Sequence, residues 1–198
     1  MLSSMACQPP CSYTVSHHTT ASCPPSWSDH LETANGPCQD WLFDTGSLTR
    51  RLIRLSADAF SVAPLSEGWA TLRDDECLAL DLAPGTTGWV REVYLSGHGR
   101  PWVFARSVAG QQALKQDGFP LAALGSRSLG ELLFVNGGFS RGRIEVCRYP
   151  TQWLPASQTG DTLLARRSRF DRDALGILVT EVFLPEFWAM LPRSPEAP

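Results

Sequence analysis

Apolar residues follow two regimes along the chain: from Asp40 onward they recur at the spacings of regular elements, and before it they do not. Ser47 stands as an N-cap ahead of Leu48, Leu52 and Leu55, which fall on one helical stripe. Phe60 to Leu72 is a strand region, with an irregularity expected at Gly68. Trp89 to Leu95 and Trp102 to Val108 are strands, and the turn Ser96-Gly97-His98-Gly99-Arg100 makes them a hairpin. Residues 121 to 134 have a helical pattern, with Ser128-Leu129-Gly130-Glu131 matching a capping box ahead of Leu132-Leu133-Phe134. Strands follow at Ile144 to Tyr149, Leu163 to Phe170 and Ile177 to Leu184, the last two joined by the polar turn Asp171 to Gly176. Consecutive hairpins predict an α+β fold: a single antiparallel β-sheet of about six strands covered by a few helices.

The organisation expected is a tail over 1–39, one folded domain over 40–190 and a short tail over 191–198. Residues 1–39 are rich in Ser, Thr, Pro and Cys and bury too little surface to offset their ordering entropy. Cys7, Cys11, Cys23 and Cys38 lie there with His17 and His18, but the spacing fits no C-x2-C pattern, so no metal site is expected. No basic-then-apolar leader opens the sequence, and no apolar run approaches the ~18 residues that span a bilayer. A soluble, cytoplasmic protein without stable membrane insertion is the expectation.

The chain has 198 residues, with 17 Lys+Arg against 20 Asp+Glu and a net charge of −3. That balance gives no general pull toward nucleic acid. Sixteen of the basic residues are Arg, so Lys115 is the one residue that could form a Schiff base. Beyond the N-terminal stretch a single histidine, His98, remains, so imidazole chemistry has little to draw on.

Strand alternation singles out charges on apolar faces. Glu181 shares a face with Ile177, Val179 and Phe183; Arg91 with Trp89, Val93 and Leu95; Arg106 with Phe104 and Val108. Two readings stay open. Glu181 pairs with Arg91 or Arg106 in a buried salt bridge, or an Arg and a Glu furnish an apolar pocket for a small carboxylate-bearing ring. Leu48 and Leu129, each following an N-cap serine, offer unpaired backbone N–H groups suited to anions. Arg141, Arg143, Arg148, Arg166, Arg167, Arg169 and Arg172 form a basic second half, read as a solvated sheet face or as steering for an anionic substrate.

Five ordered blocks carry a resemblance: Trp41 to Arg51 (WLFDTGSLTRR), Trp89 to Ser107 (WVREVYLSGHGRPWVFARS), Ser128 to Phe134 (SLGELLF), Leu164 to Arg169 (LARRSR) and Leu178 to Pro185 (LVTEVFLP). In this order they resemble the chorismate–pyruvate lyase family, which converts chorismate to 4-hydroxybenzoate and pyruvate at the head of ubiquinone synthesis. The resemblance implies a buried ligand pocket under flap-like segments. It places the family's carboxylate-binding arginine at Arg91 and its catalytic or ligand-binding glutamate at Glu181. Its two main-chain contacts fall at Leu48, commonly Met in the family, and Leu129. It implies no cofactor, with the substrate chorismate and the product 4-hydroxybenzoate as partners; the charge balance gives no nucleic-acid partner, and nothing in the sequence calls for more than a monomer. The alternatives are a non-catalytic effector-binding module of the same fold, or a lyase forming another hydroxybenzoate isomer.

Overall fold

Two residues with positive φ, His98 (51°) and Gly99 (73°), reverse the chain between two long paired strands. Positive φ at both central positions is the backbone twist that tight hairpins favour, and glycine adopts it without strain. In the computed structural model, which describes residues 24–31, 36–135, 138–155 and 162–191 (of residue 135 the backbone only), this hairpin joins β2 (Thr87–Gly97) to β3 (Arg100–Gly110). The other strands are β1 (Phe60–Thr71), β4 (Ser140–Pro150), β5 (Thr162–Arg172) and β6 (Leu175–Phe183). All neighbours are antiparallel, in the order β1-β2-β3-β6-β5-β4. The α+β expectation of one antiparallel sheet therefore holds. The last strand is inserted at the centre, between β3 and β5.

The expected irregularity in β1 lies elsewhere. Gly68 pairs regularly with Val90, and the register shifts between Pro64 and Ser66. Proline has no N–H to give the ladder, so an edge strand accommodates it with a local bulge.

Among the described residues six short helices pack on the sheet: α1 (Pro37–Leu42), α2 (Leu48–Leu55), α3 (Asp74–Ala79), α4 (Gln111–Asp117), α5 (Leu129–Val135) and α6 (Pro185–Met190). Ser47 caps α2 as expected, its hydroxyl accepting from the Arg50 amide at 3.4 Å. The helix expected over 121–134 is broken into a 3-10 turn at Leu121–Ala123 and α5. Gly125, at φ 51°, turns the chain between them. That break has a use, because the freed carbonyls of Gly125 and Arg127 face Arg91.

Helices α1, α2 and α6 bury Trp41, Leu42, Leu52 and Phe187 against Val93, Leu95 and Phe183 of the sheet. A second cluster joins Leu114, Leu121, Leu129 and Leu133 to Phe170 and Ile177. On the opposite face, Cys77 of α3 packs with Leu72, Leu80, Val90, Val108 and Leu178.

Two stretches of the segment read as a tail are seen here as structure. Ser28 exchanges backbone hydrogen bonds with Val146 (3.1 and 2.7 Å), Trp27 packs on Tyr149, and α1 begins at Pro37. A lone tryptophan and a single bridge carry no periodicity, so alternation could not reveal them. Cys7, Cys11, Cys23, His17, His18 and residues 192–198 lie outside the described residues. No helix among the described residues is long and apolar enough to cross a membrane.

The β2–β3 hairpin makes one sharp demand. A Cβ on Gly97 would lie 2.2–2.4 Å from three ring atoms of Trp102, which is fully buried. Gly97→Ala should therefore destabilise the protein by about 1–3 kcal/mol through overpacking. Denaturant melts would check this; an unchanged midpoint would show that the indole shifts freely.

Candidate active site

Strand register assembles a pocket floor from two rows of residues. Arg91 on β2 lies opposite Ser107 on β3, Ser107 opposite Val179 on β6, and Val179 opposite Ser168 on β5. The neighbouring row runs Val93, Ala105, Glu181 and Arg166. Cross-strand partners share a face, and all eight residues line one cavity. Leu48 and Leu129, the first residues of α2 and α5, line it from above. A bond between the Thr49 and Ser128 hydroxyls (2.7 Å) ties the two helix starts together. The cavity has about 570 Å³ of empty volume, its open mouth included. The four residues singled out from sequence, Arg91, Glu181, Leu48 and Leu129, thus meet in one place.

Their charge partners differ from both expected pairings. Arg91 and Glu181 are separated by β3, two strand spacings or roughly 10 Å between backbones. Each pairs instead with the residue directly opposite on its other neighbour. Arg91 Nε donates to Glu67 Oε1 at 2.7 Å, and Arg166 Nε donates to Glu181 Oε2 at 2.6 Å. Arg106 lies opposite Thr180, not Glu181, and so faces away from the pocket. There it donates to Glu76 (2.6 and 3.1 Å) and Glu92 (2.8 Å). Burial opposes its charge, but these carboxylates outweigh that and hold its pKa above the ordinary value.

Arg91 is 2% exposed and held on three sides. Its Nη2 donates to the carbonyls of Gly125 (2.7 Å) and Arg127 (3.1 Å), and its Nη1 has no protein partner among the described residues. Glu181 is complementary: Oε2 is taken by Arg166, and Oε1 accepts no hydrogen bond among the described residues. One end of the cavity thus offers a donor and a more central point an acceptor, with apolar walls from Val93, Leu95, Leu133, Phe170 and Val179 around them.

The reading of the basic second half as a solvated face is corrected for its central members. Arg166 is 1% exposed and Arg167 also buried. Arg166 Nη1 donates to the carbonyls of Trp41 and Asp44, both at 2.9 Å. Arg141 reaches the same loop, its Nη1 donating to the carbonyls of Thr45 (2.8 Å), Gly46 (3.3 Å) and Asp44 (3.4 Å). Arg51 adds a donor to the Asp40 carbonyl at 2.7 Å. The loop carries its own lock. Asp44 accepts from the Gly46 amide (2.7 Å) and from Arg51 (2.9 Å); burial opposes its charge, but these bonds hold its carboxyl below its ordinary value. Glu67, Arg141 and Arg166 were not singled out as site residues. A parity signal was available for one of them, since Leu164, Arg166, Ser168 and Phe170 alternate onto one face of β5. Among the described residues no cluster of His, Cys, Asp and Glu could hold a metal ion.

Removing one partner of a buried pair strands the other. Arg166→Met should cost about 3–5 kcal/mol of stability, and Glu181→Gln made in that background should cost less than it does alone. Denaturant melts of the four proteins of the cycle measure this; strictly additive losses would show that the pair is not coupled.

A protein-family model described as chorismate lyase matches residues 25–191. The "Probable chorismate pyruvate-lyase" of Pseudomonas aeruginosa (strain UCBPP-PA14) is 63% identical over 161 residues, covering 81% of this chain and 90% of that protein. The "Probable chorismate pyruvate-lyase 2" of Pseudomonas fluorescens (strain Pf0-1) is 59% identical over 182 residues, 90% of this chain and 98% of that one. Among solved structures, the effector domain of PhnF from Mycobacterium smegmatis aligns with a TM-score of 0.49 at 12% identity, over 72% of this chain and 91% of that one. With a family match running from the first described segment to the last, and relatives this similar along nearly their whole length, the chain belongs to the chorismate lyase family.

Proposed function

We propose that this protein is a chorismate lyase, eliminating pyruvate from chorismate to give 4-hydroxybenzoate. The observation that carries the reading is the pairing of uncommitted groups in one apolar cavity: a buried Arg91 donor and, across β3, a free Glu181 oxygen. A ring with a carboxylate at one end and a hydroxyl para to it spans such a pair. Arg91 and the backbone amides of Leu48 and Leu129 hold the ring carboxylate, through the fixed guanidinium and the first-turn N–H groups. Glu181 Oε1 accepts from the ring hydroxyl or assists proton transfer.

The reaction is redox-neutral. The bond between C3 and the ether oxygen breaks, C4 gives up its proton, and the ring becomes aromatic. The departing enolpyruvyl group takes up a proton and becomes pyruvate. Aromatisation supplies the driving force, so the reading includes no oxidant, reductant or other cofactor. Low-polarity walls strengthen the few polar contacts and keep water from the enol ether. We assign the product to the first committed step of ubiquinone synthesis.

Purified protein mixed with chorismate, without added cofactor, should release 4-hydroxybenzoate and pyruvate in equal amounts, resolved by chromatography. Recovery of unchanged chorismate would overturn the reading, and tight binding of 4-hydroxybenzoate alongside it would indicate a binding module. Glu181→Gln should lower kcat by roughly 10²–10⁴ while retaining the fold; near-normal turnover would remove Glu181 from the chemistry. Arg91→Ala should weaken 4-hydroxybenzoate binding by about 1.5–3 kcal/mol, and an unchanged Kd by calorimetry would count against its role.

A further inference from the structure

Chorismate is a dianion, and one of its carboxylates has no assigned partner once Arg91 holds that on the ring. Three arginines line the cavity, and two of them are already neutralised, Arg91 by Glu67 and Arg166 by Glu181. Arg141 differs. Its Nε donates to Ser168 Oγ at 3.0 Å and its Nη1 to backbone carbonyls, so no carboxylate lies within ion-pair distance among the described residues. Its Nη2 takes part in no hydrogen bond among them. Its guanidinium carbon stands 5.5 Å from the centre of the Phe170 ring and 5.8 Å from that of Phe134.

We propose that Arg141 is the subsite for the enolpyruvyl carboxylate, a binding residue that distinguishes the substrate from its aromatic product. The inference rests on the chorismate lyase reading and extends it. Arg141 comes from β4, two strands beyond Glu181 and four beyond Arg91 in the sheet order. On a ring whose C1 carboxylate sits at Arg91 and whose C4 hydroxyl sits at Glu181, the C3 ether emerges beside Glu181, on the side away from Arg91. Arg141 stands on that side, anchored to Ser168 of β5 and close enough to Glu181 for their charges to interact. Burial is the main cause that pushes its pKa down, with Arg166 adding to that shift and Glu181 and Asp44 opposing it. A second carboxylate would relieve the burdened cation, and as the ether breaks the same cation would stabilise charge developing on the leaving enolate. The product has lost that carboxylate, so its binding does not draw on Arg141.

The experiment compares substrate with product in Arg141→Gln. Chorismate kcat/KM should fall roughly 10- to 100-fold, while the Kd for 4-hydroxybenzoate stays within about twofold. Losses of equal size for both would assign Arg141 to holding the loop at 44–46, and an unchanged kcat/KM would remove it from substrate binding; either overturns the proposal. The unaltered protein gives a second test that does not depend on the variant folding. It should bind 3-(carboxymethoxy)-4-hydroxybenzoate roughly tenfold or more tighter than the isosteric neutral amide, 3-(carbamoylmethoxy)-4-hydroxybenzoate. Equal affinity in a protein that turns chorismate over overturns the subsite and leaves the lyase reading standing. A clear preference for the dicarboxylate in a protein that leaves chorismate intact supports the subsite and overturns the lyase reading.

Discussion

The guanidinium of Arg166 is the point on which the site depends. It lies on β5, beside the edge strand β4, almost wholly shielded from water, and holds Glu181 on one side and the carbonyls of Trp41 and Asp44 on the other. Such a charge is tolerated only when its donors are met, so the 41–46 loop must close over it. The same closure delivers Leu48, the first residue of α2, to the cavity roof. One side chain therefore sets both the Glu181 carboxylate in the cavity and the backbone that covers it.

The two faces of the sheet use the same pairing to different ends. Under α3, Glu76 takes two donors from Arg106 and one from the Arg73 amide, and Glu92 takes a third from Arg106. Arg167 is similarly shared between Asp75 and Glu145. These groups are spent on cohesion between helix and sheet. On the pocket face, Arg91, Arg141 and Glu181 each keep one atom without a protein partner among the described residues. The chain's preference for arginine over lysine, sixteen to one, suits both faces. A planar fork can serve a carboxylate with one nitrogen and backbone carbonyls with another, where an ammonium offers a single point of charge.

Much was legible in the sequence because it is local. Alternation depends on neighbours two apart, so it located the strands and put Glu181 and Arg91 on apolar faces. A capping serine acts three residues ahead, so the start of α2 was readable at Ser47. Hairpin turns belong to short segments, and together these features determined the antiparallel sheet. The quoted blocks added the family, which the comparisons bear out.

Who faces whom was decided by tertiary structure. The sheet order inserts β6 between β3 and β5, which sets Glu181 opposite Ala105 and Arg166 and leaves Arg106 opposite Thr180. No spacing along the chain encodes that order, since the paired residues are far apart in sequence. The break at Gly125, whose carbonyl meets Arg91, and the burial of Arg166 have the same origin. Sequence by itself determined the elements and the candidate charges, because propensity and periodicity act over a few residues. Tertiary structure alone decided which charges are satisfied and which stay open to a ligand, because a buried group's partner is chosen by strand order and register.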